Sequence, residues 1–353
     1  MCFLHSTGQQ CVMISYLPSV IAYDICRCLS SREIVEACTA ISTWRWVIRT
    51  PRVRKLLHRH MNRSAWLDKR LCEITLKQTS LSEDDVCEMV RYHSMQADLF
   101  KQRSSELAVL MTKRPFRCLI LGPAVDAVGF LDRFYATLIR LVDTKSESVL
   151  YSRPEGWMGN GIPIRIPVEE NAASNDLLIE VSTLHARFKA DRERQSSRVN
   201  DSFIVASGNL TRQASSMIEA NDFIFYLVDA HQSRSSWDEI RYELTTVSQS
   251  LSSNQTLVVI GVCETSSIED GEFACASAIA RNLGGVERGP LAVAPTNWRV
   301  WCLKHTNSHY LNLNEIFRWT CFDFVSKRVQ RHGEVGSDST TFSSIWALFS
   351  KWF

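Results

Sequence analysis

Apolar residues recur every fourth position in the first clearly patterned stretch of the chain. Ile21, Ile25 and Leu29 follow Leu17-Pro18, and side chains at that spacing share one helix face. Pro18 suits a first helical turn, where its missing N–H costs nothing. Ser30-Ser31-Arg32-Glu33 ends this helix and starts the next, because a Ser cap with a Glu three residues on forms a capping box. Ile34, Ala37, Cys38 and Ile41 give the second helix its face. Ser42 or Thr43 caps a third segment, Trp44 to Arg49, and Pro51 ends it. Val53, Leu56, Leu57 and Met61 continue the helical pattern. Leu81-Ser82-Glu83-Asp84-Asp85 opens a further helix with acids in its first turn, where the helix dipole favours them.

The period changes at Arg117. Arg117 to Gly122 is a short apolar run ending in Gly-Pro, which reads as a buried strand entering a loop. Phe130 to Val142 reads as an amphipathic helix. Gly161–Ile166 and Asp176–Val181 read as strands. Asp222–Asp229, Gln255–Cys263 and Trp298–Leu303 are continuous apolar strands, alternating with helices over Trp237–Leu251, Phe273–Leu283 and Leu313–Val325. The polar stretch between Glu180 and Ser216 reads as a surface loop with a helical piece. Strand–helix alternation with apolar strands predicts a mostly parallel sheet covered on both faces. The expected organisation is α+β in two parts: a short arm over 1–15, an all-helical module over 16–60, a helical linker over 61–113, an α/β domain over 114–327 and a tail over 328–353. A module of about 40 residues buries too little surface to stand alone, so it leans on neighbours or a partner.

Composition changes this picture little. In 353 residues, 45 % are hydrophobic and 22 % charged, which is ordinary globular usage. The net charge of +2 is too small for bulk attraction to nucleic acid or an anionic membrane, so neither partner is expected. No apolar run approaches the roughly 20 residues of a membrane span, and the first 15 residues lack the character of a secretory signal. The 12 cysteines are scattered without a Cys-x-x-Cys pair. That predicts reduced, mostly buried thiols in a cytoplasmic or nuclear protein, with no metal site.

The candidate chemistry is a phosphate loop that lacks its working parts. Such a loop needs G-x-x-x-x-G-K-[ST], with backbone amides and a Lys on the phosphates and a hydroxyl on magnesium. Here it reads Gly122-Pro123-Ala124-Val125-Asp126-Ala127-Val128-Gly129. Val128 stands in place of the Lys, Gly129 replaces the Ser/Thr, Asp126 adds an anion, and Pro123 removes a donor. Asp229 ends a strand as a magnesium-holding Asp would, but Gln232 stands where a Gly should follow. Cys263-Glu264-Thr265-Ser266 replaces the base-reading Asn-Lys-x-Asp. No nucleotide, cofactor or covalent catalysis is expected.

The order of elements is similar to that of a small GTPase, and the helical module resembles an F-box. Leu17-Pro18, then Ile21, Ile25 and Leu29, then Ser30 to Ile34, then Trp44-Arg45 carry that likeness; Val20 departs from it, standing where many F-boxes have an acid. An F-box followed by a degenerate GTPase-like domain resembles the F-box only protein 4 family, with further likeness at Met158–Gly161 and at Asp222–Asp229 followed by Trp237-Asp238-Glu239. The resemblance implies docking on Skp1 and, through it, on a cullin–RING ubiquitin ligase. Leu17, Pro18, Ile21, Ile25, Leu29 and Ile34 would pack on Skp1, with Trp44 supporting the turn. The GTPase-like domain would bind the protein to be ubiquitinated, a telomere-repeat-binding factor or cyclin D in the family's case. An open sheet edge could hold that substrate, at Trp298, Val300 and Trp301 or at Gly161–Ile166. Family members also dimerise through a longer N-terminal region; here homodimerisation is left open. Two rival readings are a nucleotide-regulated switch protein and a scaffold that docks on no ligase.

Overall fold

The computed structural model describes residues 18–41, 44–62, 66–76, 82–110, 115–126, 133–134, 136–138, 161–167, 176–184, 208–229, 236–262, 272–285, 287, 289–303 and 309–334. The chain divides into two compact units, residues 1–64 with 77–99 and residues 65–76 with 100–353.

The first unit is helical. It holds α1 (Ser19–Arg27), α2 (Ser31–Ala40), α3 (Arg45–Arg49), α4 (Pro51–Asn62) and the start of α6 (Glu83–Leu110). The capping box at Ser30 is formed: the Ser30 Oγ accepts the Glu33 N–H at 3.3 Å, and the Glu33 carboxylate accepts the Ser30 N–H at 2.8 Å. The Ser30 N–H and hydroxyl, both donating to the Glu33 carboxylate, favour its charged form and hold it below its usual range. Ser82 and Asp85 repeat the reciprocal arrangement at the start of α6, at 2.9 and 3.2 Å. Pro51 does more than end α3. It is the first residue of α4, the position where proline's fixed φ suits a helix, and the break itself lies at Thr50 in extended backbone. Ile34, Val35, Val47, Ile48, Val53, Leu57, Val86 and Met89 form the core of this unit. The Arg91 guanidinium donates to the Thr39 hydroxyl at 2.6 Å, tying α6 to α2.

The second unit is built on a seven-stranded sheet in the order β1-β7-β6-β5-β2-β4-β3. The strands are β1 (Trp66–Asp68), β2 (Phe116–Leu121), β3 (Ile162–Pro167), β4 (Asp176–Thr183), β5 (Phe223–Asp229), β6 (Thr256–Val262) and β7 (Trp298–Leu303). The four central pairings are parallel. Only the edge strands run antiparallel, β3 against β4 and β1 against β7. Helices α5 (Lys69–Leu76), α7 (Arg212–Glu219), α8 (Ser236–Ser250), α9 (Glu272–Asn282), α10 (Pro290–Val293) and α11 (Leu313–Glu334) accompany the sheet. Every residue of β6 and β7 is buried, as strands covered on both faces must be. A polar knot ties α11 to the starts of β6 and β7. The Lys327 ammonium lies 2.7 Å from the Asp323 carboxylate and donates to the Gln255 carbonyl and the Thr256 and Thr296 hydroxyls at 2.9 to 3.1 Å.

The fold class is the expected one: helices first, then an α/β domain with a mostly parallel sheet. Two boundaries differ. The segment 61–113 is not wholly helical, because Trp66–Asp68 is a strand of the sheet and Asp68 then caps α5, its carboxylate accepting the Leu71 N–H at 3.0 Å. The last helix does not stop at Val325 but continues to Glu334, so the expected tail boundary falls inside it. Within Phe130–Val142, Phe134 and Leu138 are helical and buried; the arm, the tail beyond Glu334 and most of the polar stretch after Leu184 lie outside the described residues.

Candidate functional site

The loop after β2 is where a phosphate would sit if this domain held one. Gly122 leaves β2 at φ +113, and a Cβ there would lie within 2.6 Å of the Leu227 backbone nitrogen on β5. The chain then tightens into a single 3₁₀ turn, Pro123–Asp126. Ala124 and Val125 point into the core, at 1 % and 0 % exposure. The Val125 N–H donates to the Gly122 carbonyl at 3.1 Å. A phosphate cradle works by aiming free backbone N–H groups at the ligand. Here Pro123 has none to aim and that of Val125 is spent within the turn. Val128 and Gly129 lie outside the described residues, as does the side chain of Asp126. Asp229 ends β5, half-buried and engaged with neighbours. We expect calorimetry of the full chain with GTP and magnesium to show no binding at micromolar concentrations; saturable heat in that range would overturn this reading of the loop.

Of the eight described cysteines six are buried, Cys87 is half-buried and Cys28 is exposed. Cys118 and Cys321 are fully buried in the second unit, and burial pushes both well above the usual thiol range. In the first unit burial pushes Cys38 up to about 12 and raises Cys26. A thiol held protonated in this way is a poor nucleophile. Cys263 lies outside the described residues. Among the described residues no three His, Cys, Asp or Glu side chains are grouped to hold a metal ion. Among the same residues no helix is long and apolar enough to cross a membrane.

The second candidate surface is α1. Its small residues, Ala22 and Cys26, face the core at 1 % exposure each. Two of its larger apolar residues face outward. Val20 is 56 % and Ile21 45 % exposed, Pro18 is exposed beside them, and Ile25 and Leu29 are half-buried. Ile34 and Trp44, expected near the same surface, are buried at 0 % and 6 %, so they support the unit from within. Leu17 lies outside the described residues. Val20, the departure from the F-box pattern, enlarges the apolar patch.

The third candidate is a sheet edge, and here the structure corrects the sequence. Trp298, Val300 and Trp301 do not lie on an open edge. β7 pairs with β6 on one side and with β1 on the other, Trp66 opposite Trp301 and Asp68 opposite Arg299. All three are buried, at 4 %, 0 % and 1 % exposure. The short β1 occupies the edge in cis, and its pairing could not be read from a three-residue strand. The opposite edge is β3. It carries Pro163 and Pro167 at either end, flanking Arg165. A proline in a sheet sits where its missing N–H faces away from the ladder. Residues 163, 165 and 167 share that side, so two of the three outward donors are absent. The edge is protected against strand addition.

No family model matches the chain, and no curated protein does. Among solved structures, the chain is similar to an ADP-ribosylation-factor-like GTP-binding protein, a small COPII coat GTPase SAR1 from Encephalitozoon cuniculi in complex with GDP. The likeness covers 69 % of this chain and 96 % of that one, at 13 % identity and a TM-score of 0.34. Likeness at that level carries no argument about a site. The sheet order is independent of it: without β1 the order is β7-β6-β5-β2-β4-β3 with β3 alone reversed, which resembles a small GTPase and is the arrangement expected from the order of elements.

Proposed function

We propose that this chain is a non-catalytic substrate receptor of a cullin–RING ubiquitin ligase, docking on Skp1 through α1 and holding a protein substrate on the sheet unit. The observation that carries the proposal is the inverted burial of α1: alanine and cysteine inward, valine and isoleucine outward. A helix with no partner would do the reverse, because burying the larger apolar side chains is worth more. The tightened loop at Gly122–Asp126 favours a binding role for the sheet unit over nucleotide chemistry.

In this reading no residue forms a covalent bond with the substrate. The receptor raises the local concentration of a substrate lysine at a charged conjugating enzyme, and rate follows from proximity. Because β3 carries prolines and β1 closes the far edge, the substrate is held by side-chain contacts and not by an added strand. A telomere-repeat-binding factor or cyclin D is the first substrate to try.

The test is capture of the full chain by purified Skp1. Val20→Asp with Ile21→Asp should weaken capture by roughly 100-fold or more, given about 1.5–3 kcal/mol for each apolar side chain removed from a dry contact. Both residues are exposed in the free protein, so the melting temperature should not move. Failure of the unmutated chain to bind Skp1 would sink the proposal.

A further inference from the structure

The first unit carries a one-signed charge run that docking through α1 does not use. Residues 37–64 contain six arginines and Lys55 and no Asp or Glu. The whole chain is only +2, so the rest of it is net negative by five. Its middle folds as α3 and α4. Val47, Ile48, Val53 and Leu57 turn into the core, while Arg45, Arg49, Arg52 and Lys55 are exposed. Arg45 and Arg49 are four residues apart and Arg52 and Lys55 three apart, spacings at which like charges repel and weaken a helix. Elsewhere in the same unit Arg32 is neutralised, 2.7 Å from Glu36 and 2.6 Å from Asp98. Among the described residues, Arg45, Arg52 and Lys55 have no such carboxylate.

We propose that the α3–α4 face binds the phosphate backbone of a nucleic acid, without reading its sequence. The inference goes beyond the ligase reading and does not rest on it. A small net charge argues against attraction of the molecule as a whole, but charges more than about 10 Å away are largely screened in salt, so the local field decides. Phosphate is favoured over an acidic protein because protein hot spots join arginine to tryptophan and tyrosine in well-packed pockets, whereas the fully exposed positions of this face are Arg45, Arg49, Pro51, Arg52 and Lys55, its one tryptophan, Trp46, being half-buried. A membrane surface is disfavoured for a related reason. A helix lying in the interface needs its apolar face free, and Val53 and Leu57 of α4 are fully used in the core. Neutralising a row of phosphates needs only the cations.

The experiment is fluorescence anisotropy of the full chain with a labelled mixed-sequence oligonucleotide, single-stranded and duplex, across a salt series. Binding should be sequence-independent, in the range of about 10⁻⁴ to 10⁻⁶ M near physiological salt, and should fall steeply as salt rises. The triple variant Arg45→Gln, Arg52→Gln, Lys55→Gln should reduce the slope of log K against log salt by roughly 2 on single strands, at about 0.7 per phosphate lost. Its melting temperature should match that of the unmutated chain, since the three side chains are exposed. Polyglutamate and phosphatidylserine vesicles serve as rival anions. Absence of salt-dependent binding, equal binding by the triple variant, or tighter binding of polyglutamate or vesicles than of the oligonucleotide would each overturn the proposal.

Discussion

Replacing Gly122 by alanine is expected to destabilise the second unit by roughly 3–5 kcal/mol, more than any surface change in this chain. Two effects add at this position. Its φ of +113 lies where an L side chain is strained, which costs about 1–3 kcal/mol. The new Cβ would also press into the Leu227 backbone, within 2.6 Å of its nitrogen. That neighbour is a strand in the middle of the sheet, with β2 on one side and β6 on the other, so it cannot give way as a flexible side chain could. Overpacking of this kind adds about 1–3 kcal/mol. Thermal unfolding followed by far-UV circular dichroism should show a melting point lower by roughly 10 °C for a domain of this size. A shift of a degree or two would mean that the loop relaxes freely and that the glycine is no packing requirement. The same closeness explains why the loop is unsuited to a phosphate: it leaves β2 against β5 and turns at once into the core.

The parts of the fold that were legible in sequence are those where burial on both faces leaves an unbroken apolar run. Cys118–Leu121, Phe223–Val228 and Thr256–Val262 are of this kind, and all are strands with buried interiors. Capping chemistry was legible too, because Ser30 and Glu33 meet through local backbone geometry alone. What could not be read depends on distant partners. β1 is three residues long, too short for a period to appear, and its partner strand lies more than two hundred residues onward. Arg299 reads as an interruption in an apolar strand, yet it is 5 % exposed, and only the neighbours supplied by the fold account for it. On α1, the fourfold spacing of Ile21 and Ile25 defined a face, while Leu29 falls beyond the helix's end at Arg27. Periodicity gives the width of a face and not its direction, so the spacing left open that Ala22 and Cys26 would take the core. Of the phosphate loop, the absence of Lys and Ser/Thr was plain from sequence. The inward turn of Ala124 and Val125 needed the structure.

Trp66→Ala should release the β1 edge, with a loss of roughly 3–5 kcal/mol, the usual range for deleting a buried tryptophan. Trp66 is 5 % exposed, and it is one wall of a stack that closes the sheet. The Arg299 guanidinium lies 3.7 Å from the centroid of the Trp66 ring and 4.1 Å from that of Trp319. Trp301 bridges the walls, its ring centroid 6.3 Å from Trp66 and 6.4 Å from Trp319. A desolvated cation over an aromatic face contributes about 2 kcal/mol or more, and here the same cation meets two faces. Without Trp66 the buried charge of Arg299 loses one of them and a cavity opens beside β7. Trp66→Phe keeps a ring and should retain most of the stability, which separates the stack from mere volume. Urea unfolding of the full chain measures the loss, and hydrogen exchange locates it: amides of Trp66–Asp68 and of Arg299–Trp301 should lose protection while those of β5 and β6 keep theirs. Loss of less than about 1 kcal/mol with β7 protection intact would show that β1 is held by its ladder alone. The expected result would instead make the edge conditional on one stack, so that a change at Trp66 exposes β7 to strand addition that the intact chain prevents.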